Sequence, residues 1–245
     1  MNVAYTHART VHSLHGAVAG FRHLSGYGPF GSLLDVGAGT GSWMLAAHGA
    51  GVRDIWGVDG VEAMCREALI EGGKFQLCDL SQPLNLNRTF DCVICLEVAE
   101  HLEGSSANTL IASLCRHGSL IFFSAARPGQ FGQNHINCQW PCYWQSLFNA
   151  QGFACIDDVR WSMWSDTDIE AWYRQNIFRA VRDPSLAGSE LRIPSVVHPD
   201  MLGPDAACRA SGESGTLLFG SHFTAPLRAI VRKAIRNPLR RQGRS

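Results

Sequence analysis

No apolar run in the chain reaches the roughly 18 residues that a spanning helix needs. A stretch of signal-peptide character is missing from the first thirty residues, which carry His7, His12, His15 and His23 instead, so a cytoplasmic protein is expected. Net charge is absent as well. Lys+Arg and Asp+Glu are both 21, but Arg228, Arg232, Lys233, Arg236, Arg240, Arg241 and Arg244 all follow the last acid. Without those seven the body keeps 14 bases against 21 acids, about −7, and lacks the clustered cations that phosphate neutralisation requires. Nucleic acid is therefore not an expected partner of the main surface. A second thiol pair to accompany Cys92-x-x-Cys95 is also missing. With Val93 and Ile94 between them, these thiols read as core residues of a buried strand, and the odd total of nine Cys suits a reducing compartment.

What is present is a large apolar content, 46% of residues, arranged as alternating strand-like and helix-like segments from Ser32 to about Arg182. Strands are expected near 32–36, 54–58, 74–78, 90–96 and 118–124, and helices over 42–51, 61–70, 105–117 and 140–151. Two further strands, 153–160 and 176–182, flank a segment whose Ser165-Asp-Thr-Asp start resembles a helix N-terminus, and a short connection there is expected to make them an antiparallel hairpin at one sheet edge. The expected organisation is an N-terminal helical cap over 1–30, an α/β domain over 31–182, an irregular Pro/Gly-rich excursion over 183–224 and a basic helix and tail over 225–245. In that tail Leu227, Ile230, Val231 and Ile235 form an apolar stripe among the bases, suited to an anionic membrane surface or to docking on the domain itself, with Pro238 ending the helix.

The sharpest local signal is Leu33-Leu34-Asp35-Val36-Gly37-Ala38-Gly39-Thr40-Gly41, a strand that runs into a glycine turn opening a helix. Glycines are needed where the backbone bends sharply and a ligand comes close. Dinucleotide folds use G-x-G-x-x-G around a pyrophosphate, whereas the spacing here is G-x-G-x-G, and Asp35 would repel a pyrophosphate but suit an ammonium. Asp59 ends the second strand about twenty residues past the loop, beside Gly60, where a carboxylate can accept ribose hydroxyls. The next strand ends at Asp79-Leu80, an acid and an apolar side chain suited to an adenine amino group and ring face. An Asp at a strand end is more often a turn former; three of them with this glycine loop describe one crevice.

Asp35-Val-Gly-Ala-Gly-Thr-Gly41 followed by Gly57-Val-Asp59 resembles motifs I and post-I of the class I S-adenosylmethionine-dependent methyltransferases, over roughly residues 30–182. The resemblance implies a Rossmann-like α/β fold with a seven-stranded sheet of order 3-2-1-4-5-7-6, strand 7 antiparallel, and S-adenosylmethionine as cofactor. It implies cofactor contacts from Asp35, Gly37, Ala38, Gly39, Gly41, Asp59, Gly60, Asp79, Leu80, Leu96 and Glu97. The string Glu97-Val-Ala-Glu100-His101 resembles the metal-binding segment of ubiquinone-pathway O-methyltransferases and small-RNA terminal 2′-O-methyltransferases, though similar strings occur in metal-free relatives. No metal is expected; were a divalent ion bound, Glu97, Glu100, His101 and His135 would be its ligands.

After the fifth strand, Ser124 to Asn137 and then Gln139 to Trp144 supply His, amides and rings on a Gly/Pro loop, a suitable wall for a hydroxylated acceptor. Gln130, Asn137, Trp140 and Tyr143 are the substrate candidates, and Trp144 is expected in the core. His135 and His101 are the candidate general bases, since a hydroxyl must lose its proton as it attacks. This stretch, with Asp168-x-Glu170-x-Trp172-Tyr-Arg-Gln-Asn176, is similar to small bacterial methyltransferases of sugar and glycoconjugate synthesis. O-methylation of a sugar-containing or other small hydroxylated metabolite is thus expected. Metal-assisted RNA 2′-O-methylation and a catalytically silent partner-binding subunit are the alternatives.

Overall fold

The computed structural model describes residues 11–62 and 74–202. Seven strands form one sheet: β1 (Ser32–Val36), β2 (Asp54–Asp59), β3 (Lys74–Leu77), β4 (Cys92–Leu96), β5 (Leu120–Ser124), β6 (Phe153–Ile156) and β7 (Phe178–Arg182). Their order is β3-β2-β1-β4-β5-β7-β6; β7 runs antiparallel to both β5 and β6, while the other neighbours are parallel. The helices among the described residues are α1 (Val11–Leu24), α2 (Ser42–Gly49), α3 (Ala107–His117), α4 (Pro141–Ala150), α5 (Asp158–Met163) and α6 (Ala171–Asn176).

Period-2 alternation along each central strand divides the core between the two faces of the sheet. Leu34, Val36, Val93, Cys95, Ile121 and Phe123 face one side, where α3 and α4 supply Leu110, Leu114, Trp144 and Phe148. Leu33, Cys92, Ile94, Leu96 and Phe122 face the other, against α1, α2 and α5. Phe123 sits 5.3 Å from Trp144, 5.4 Å from Phe148 and 5.5 Å from Phe178, so the expected core role of Trp144 is met by an aromatic cluster. Removing such a ring costs about 3–5 kcal/mol through lost burial and the cavity left behind.

Three expectations are corrected. Strand 153–160 stops at Ile156, because Asp157 and Asp158 open α5, where acids favour a helix N-terminus. The buried Arg160 then donates to the Gln175 carbonyl at 3.1 Å and pairs with Asp157, and the Asp158 carboxylate clamps Arg179 on β7 at 2.8–3.0 Å. The last two strands are therefore joined by two helices and not by a short hairpin turn. The helix anticipated from Ser165 begins only at Ala171, since Asp166 uses Oδ1 to accept from the Asp168 amide at 3.1 Å, closing a turn instead of capping a helix. Of the helix expected over 61–70, only Val61 and Glu62 fall among the described residues, and the cap before residue 11 and the tail beyond 202 lie outside them.

The described part of the irregular excursion is tied to the domain. Glu190 accepts hydrogen bonds from Gln145, Asn149 and the Cys155 amide, which hold its carboxyl down at about 2 against the opposing effect of burial. Ile193 is buried in the α3–α4 face of the core.

Candidate active site

The strand order reverses between β1 and β4, and in an open parallel sheet ligands bind at the carboxyl ends of the strands on either side of such a reversal. At that point Gly37, Gly39 and Gly41 adopt φ of 80°, 54° and 82°, the left-handed region that glycine occupies without steric cost. A Cβ on Gly37 would overlap the Val98 side chain. The amides of Gly37 and Ala38 both donate to the Val58 carbonyl, at 2.8 and 3.1 Å, so β2 shapes the turn.

Asp59 is buried at the end of β2 and accepts from the Gly39 amide through Oδ2 and from the Val61 amide through Oδ1, both at 2.8 Å. Each carboxylate oxygen keeps a second lone pair, enough to accept a pair of vicinal hydroxyls. Asp35, on β1 opposite Gly57, is 4% exposed and its Oδ2 has no partner; burial, and then the charge of Asp59, raise its pKa well above the carboxylate range. A cation arriving there would relieve both effects. Asp79 is exposed, and its Oδ1 closes a turn by accepting from the Ser81 amide at 2.9 Å and hydroxyl at 2.6 Å, with Leu80 buried beside it and Gly60 exposed across the β2 end.

On the other side of the reversal, Leu96 is buried and Glu97 takes a left-handed φ of 55°. That conformation is costly for a side chain with a Cβ, and here it is held by the Glu97 amide donating to the Ser124 carbonyl at 3.0 Å. The Glu97 carboxylate accepts from Gln130 Nε2 at 2.8 Å and from Asn176 Nδ2 at 3.0 and 3.2 Å. Burial raises its pKa, and these donors oppose the rise. Glu100 is fully buried with neither Oε atom hydrogen-bonded, so burial and the charge of Glu97 push its pKa well up.

His135 stands with Nδ1 3.1 Å from the Gln130 carbonyl and Nε2 4.0 Å from Glu100 Oε1. A carbonyl only accepts, so Nδ1 carries the proton and Nε2 the lone pair in the neutral ring. Burial lowers the His135 pKa, and the Gln130 carbonyl partly restores it. The His101 ring lies 5.1 Å from that of His135, with its Nδ1 3.3 Å from the Asn134 carbonyl. Glu100, His101 and His135 bring one ligating atom each to within 4.8 Å of one another, whereas Glu97 is outside this group.

Among the substrate candidates, Gln130 and Asn137 are buried and internally bonded. Asn137 Nδ2 donates to the Ala99 carbonyl at 3.4 Å, and its Oδ1 accepts from Gln139 at 3.2 Å. Trp140 and Tyr143 are half-buried at the start of α4, the Tyr143 ring lying 4.9 Å from that of Trp144. Gln175 and Asn176, which end the stretch Asp168–Asn176 but were not among the expected site residues, bond to two that were: Asn176 to Glu97 and both to Gln130.

The reversed parallel sheet, the G-x-G-x-G turn and Asp59 at the end of β2 define a Rossmann-like S-adenosylmethionine-dependent methyltransferase. A family model described as a methyltransferase domain matches residues 14–181, and the chain belongs to that family. No curated protein matches it. Among solved structures, it is similar to the magnesium protoporphyrin IX methyltransferase of Synechocystis with bound S-adenosylhomocysteine, at 23% identity and TM-score 0.52 over 70% of this chain and 82% of that one. An amino pentose methyltransferase of Micromonospora echinaspora involved in calicheamicin biosynthesis, with bound S-adenosylmethionine, is 15% identical with TM-score 0.54, over 74% of this chain and 99% of that one. A sugar N-methyltransferase of Streptoalloteichus is 16% identical with TM-score 0.52, over 75% and 99%. At these identities the structural likeness shows the fold.

Proposed function

We propose that the protein O-methylates a small hydroxylated acceptor, sugar-containing or of similar polarity, with His135 as general base. The observation that carries this reading is the fixed orientation of His135: Nδ1 is engaged by the Gln130 carbonyl, which leaves the Nε2 lone pair to receive a proton. Bound S-adenosylmethionine supplies a methyl group already activated on a sulfonium. Asp35, the Gly37–Gly41 turn and Asp59 would hold its ammonium, backbone approach and ribose, and the carboxyl ends of β3 and β4, with Leu80 and Leu96, would flank the rest. His135 Nε2 takes the acceptor's hydroxyl proton as the oxygen lone pair forms the new O–C bond, the C–S bond breaks and its electron pair stays on sulfur. The products are a methyl ether, S-adenosylhomocysteine and an imidazolium that releases its proton to solvent. Alignment of the reacting atoms supplies about 7–11 kcal/mol in such displacements, and a positioned base a further 10²–10⁴-fold. Neighbours named for sugar and porphyrin acceptors are in keeping with a small-molecule substrate.

The test is incubation with methyl-labelled S-adenosylmethionine and fractionated host extract. Label should enter a small-molecule or glycan fraction, and His135→Asn should cut turnover by about 100-fold or more. Label in RNA or protein, or full activity of the variant, would overturn the reading.

One observation favours a second reading, a metal-assisted transfer. Glu100 is a buried carboxyl without a hydrogen bond, facing two imidazoles that each commit Nδ1 to a backbone carbonyl, the orientation typical of metal-ligating His. A divalent ion on Glu100, His101 and His135 would lower a hydroxyl's pKa directly. Turnover that survives exhaustive chelation excludes it.

A further inference from the structure

The last two residues of Asp168-x-Glu170-x-Trp172-Tyr-Arg-Gln-Asn176 reach the site from α6. Asn176 Nδ2 donates to the Glu97 carboxylate at 3.0 and 3.2 Å and to Gln130 Oε1 at 2.9 Å, and Asn176 Oδ1 accepts from Gln175 Nε2 at 3.0 Å. Gln175 Nε2 also reaches Gln130 Oε1 at 3.2 Å, while Gln175 Oε1 accepts from Arg127 Nε at 3.3 Å and from the His198 amide at 2.9 Å. Gln130 closes the ring by donating to Glu97 at 2.8 Å.

This ring is over-determined. A primary amide has two protons and one accepting oxygen, and in both Asn176 and Gln175 all of them are used. Flipping the Asn176 amide would set its oxygen against the Glu97 carboxylate, so its orientation has no competitor. All three amides are at most 7% exposed, where an unmet polar group is costly and a satisfied one rigidifies. The members come from three separate places in the fold: the end of β4, the loop after β5, and α6. Gln130 stands at the junction, because its backbone carbonyl holds His135 Nδ1.

We propose that Asn176 is the positioning residue of the acceptor side of the site: through Gln130 it sets the His135 ring with Nδ1 on the carbonyl and Nε2 unprotonated, and it fixes the Glu97 carboxylate at the end of β4. The inference rests on the reading of His135 as the group that receives the acceptor's proton, and the ring orientation it specifies is the same if His135 ligates an ion through Nε2.

The test uses the full chain, with imidazole nitrogens labelled, His135 assigned by its loss in His135→Asn, and the tautomer read by nitrogen NMR. Wild type should show Nδ1 protonated. Asn176→Asp replaces the donor to Glu97 with a second carboxylate; S-adenosylmethionine affinity by calorimetry should stay within about threefold, the His135 tautomers should mix, and kcat should fall by about 100-fold, the penalty of ångström-scale misplacement. Adding Glu97→Gln restores a donor facing an acceptor and should recover the Nδ1-protonated ring and at least about tenfold of the lost kcat, which a merely structural lesion would not do. If Asn176→Asp folds poorly by circular dichroism, Asn176→Ser carries the same test. An unchanged tautomer with less than about threefold loss of kcat, or no recovery in the double variant, overturns the proposal. Absence of methyl transfer in the wild type would strike the proposed function alone, because the tautomer reports on Asn176 without turnover.

Discussion

Glu100 Oε1 lies 4.0 Å from His135 Nε2, and neither oxygen of this fully buried carboxyl accepts a hydrogen bond. The pair sets a carboxyl whose pKa burial raises beside an imidazole whose pKa burial lowers. Glu97 next to it is different, because three amide contacts oppose the rise in pKa that burial causes. Burial raises the pKa of both carboxyls, three residues apart, and side-chain amides oppose the rise at Glu97 alone.

From this follows the behaviour of Glu100→Gln. The folded pKa of Glu100 is raised above its unfolded value, so the folded chain holds this proton more tightly and stability falls as pH rises through the folded pKa. The amide removes that loss: thermal unfolding should be near wild type in acid and higher than wild type in alkaline buffer. Turnover should stay within about threefold under the general-base reading and collapse under the metal reading, since Gln is a poor ligand.

Glu170 makes a second, independent contribution of the same sign. It is 5% exposed, Oε2 lacks a partner, and burial lifts its pKa to about 7. Against an unfolded value near 4.5, stability should decline between about pH 4.5 and 7, by up to about 3 kcal/mol. Glu170→Gln should flatten that part of the curve in denaturant unfolding; an unchanged slope would show that Glu170 is ionised when folded.

Gly37→Ala tests the turn. At φ 80° the added methyl is conformationally strained and also overlaps Val98. A loss of about 1–3 kcal/mol is expected, with S-adenosylmethionine binding weakened by calorimetry. Val98→Ala in the same chain should relieve the overlap but not the backbone strain, so recovery should be partial.

Asp59→Ala removes the acceptor of the Gly39 amide and of the proposed ribose contact together. Hydrogen bonds to a charged group are worth about 1.5–3 kcal/mol each, so affinity for S-adenosylmethionine should drop by about 100-fold or more. Undiminished affinity would remove the cofactor from this crevice.

The α/β alternation and the glycine turn between β1 and α2 were legible in the sequence, because both rest on local signals, apolar runs of strand length and glycines at close spacing, whereas the sheet order followed only from the resemblance to the methyltransferase motifs. Asp79 shows the limit of such signals, since a turn-forming Asp and a ligand-binding Asp look alike in one dimension, and in the fold its Oδ1 serves the turn. The β6–β7 connection was misread because Ser165-Asp-Thr-Asp suits a closed turn as well as a helix cap.

The sequence by itself determined the class of fold and, through the resemblance carried by Asp35–Gly41 and Gly57–Asp59, the cofactor, since strand periodicity and glycine spacing are properties of nearby residues. Only the tertiary structure decided the hydrogen-bonded ring around Glu97. Glu97, Gln130, His135 and Asn176 lie up to 79 positions apart, and no local pattern records which amide will meet which carboxylate. Their hydrogen bonds exist because the sheet order sets α6 beside the end of β4, and burial there leaves each polar group only the partners the fold supplies.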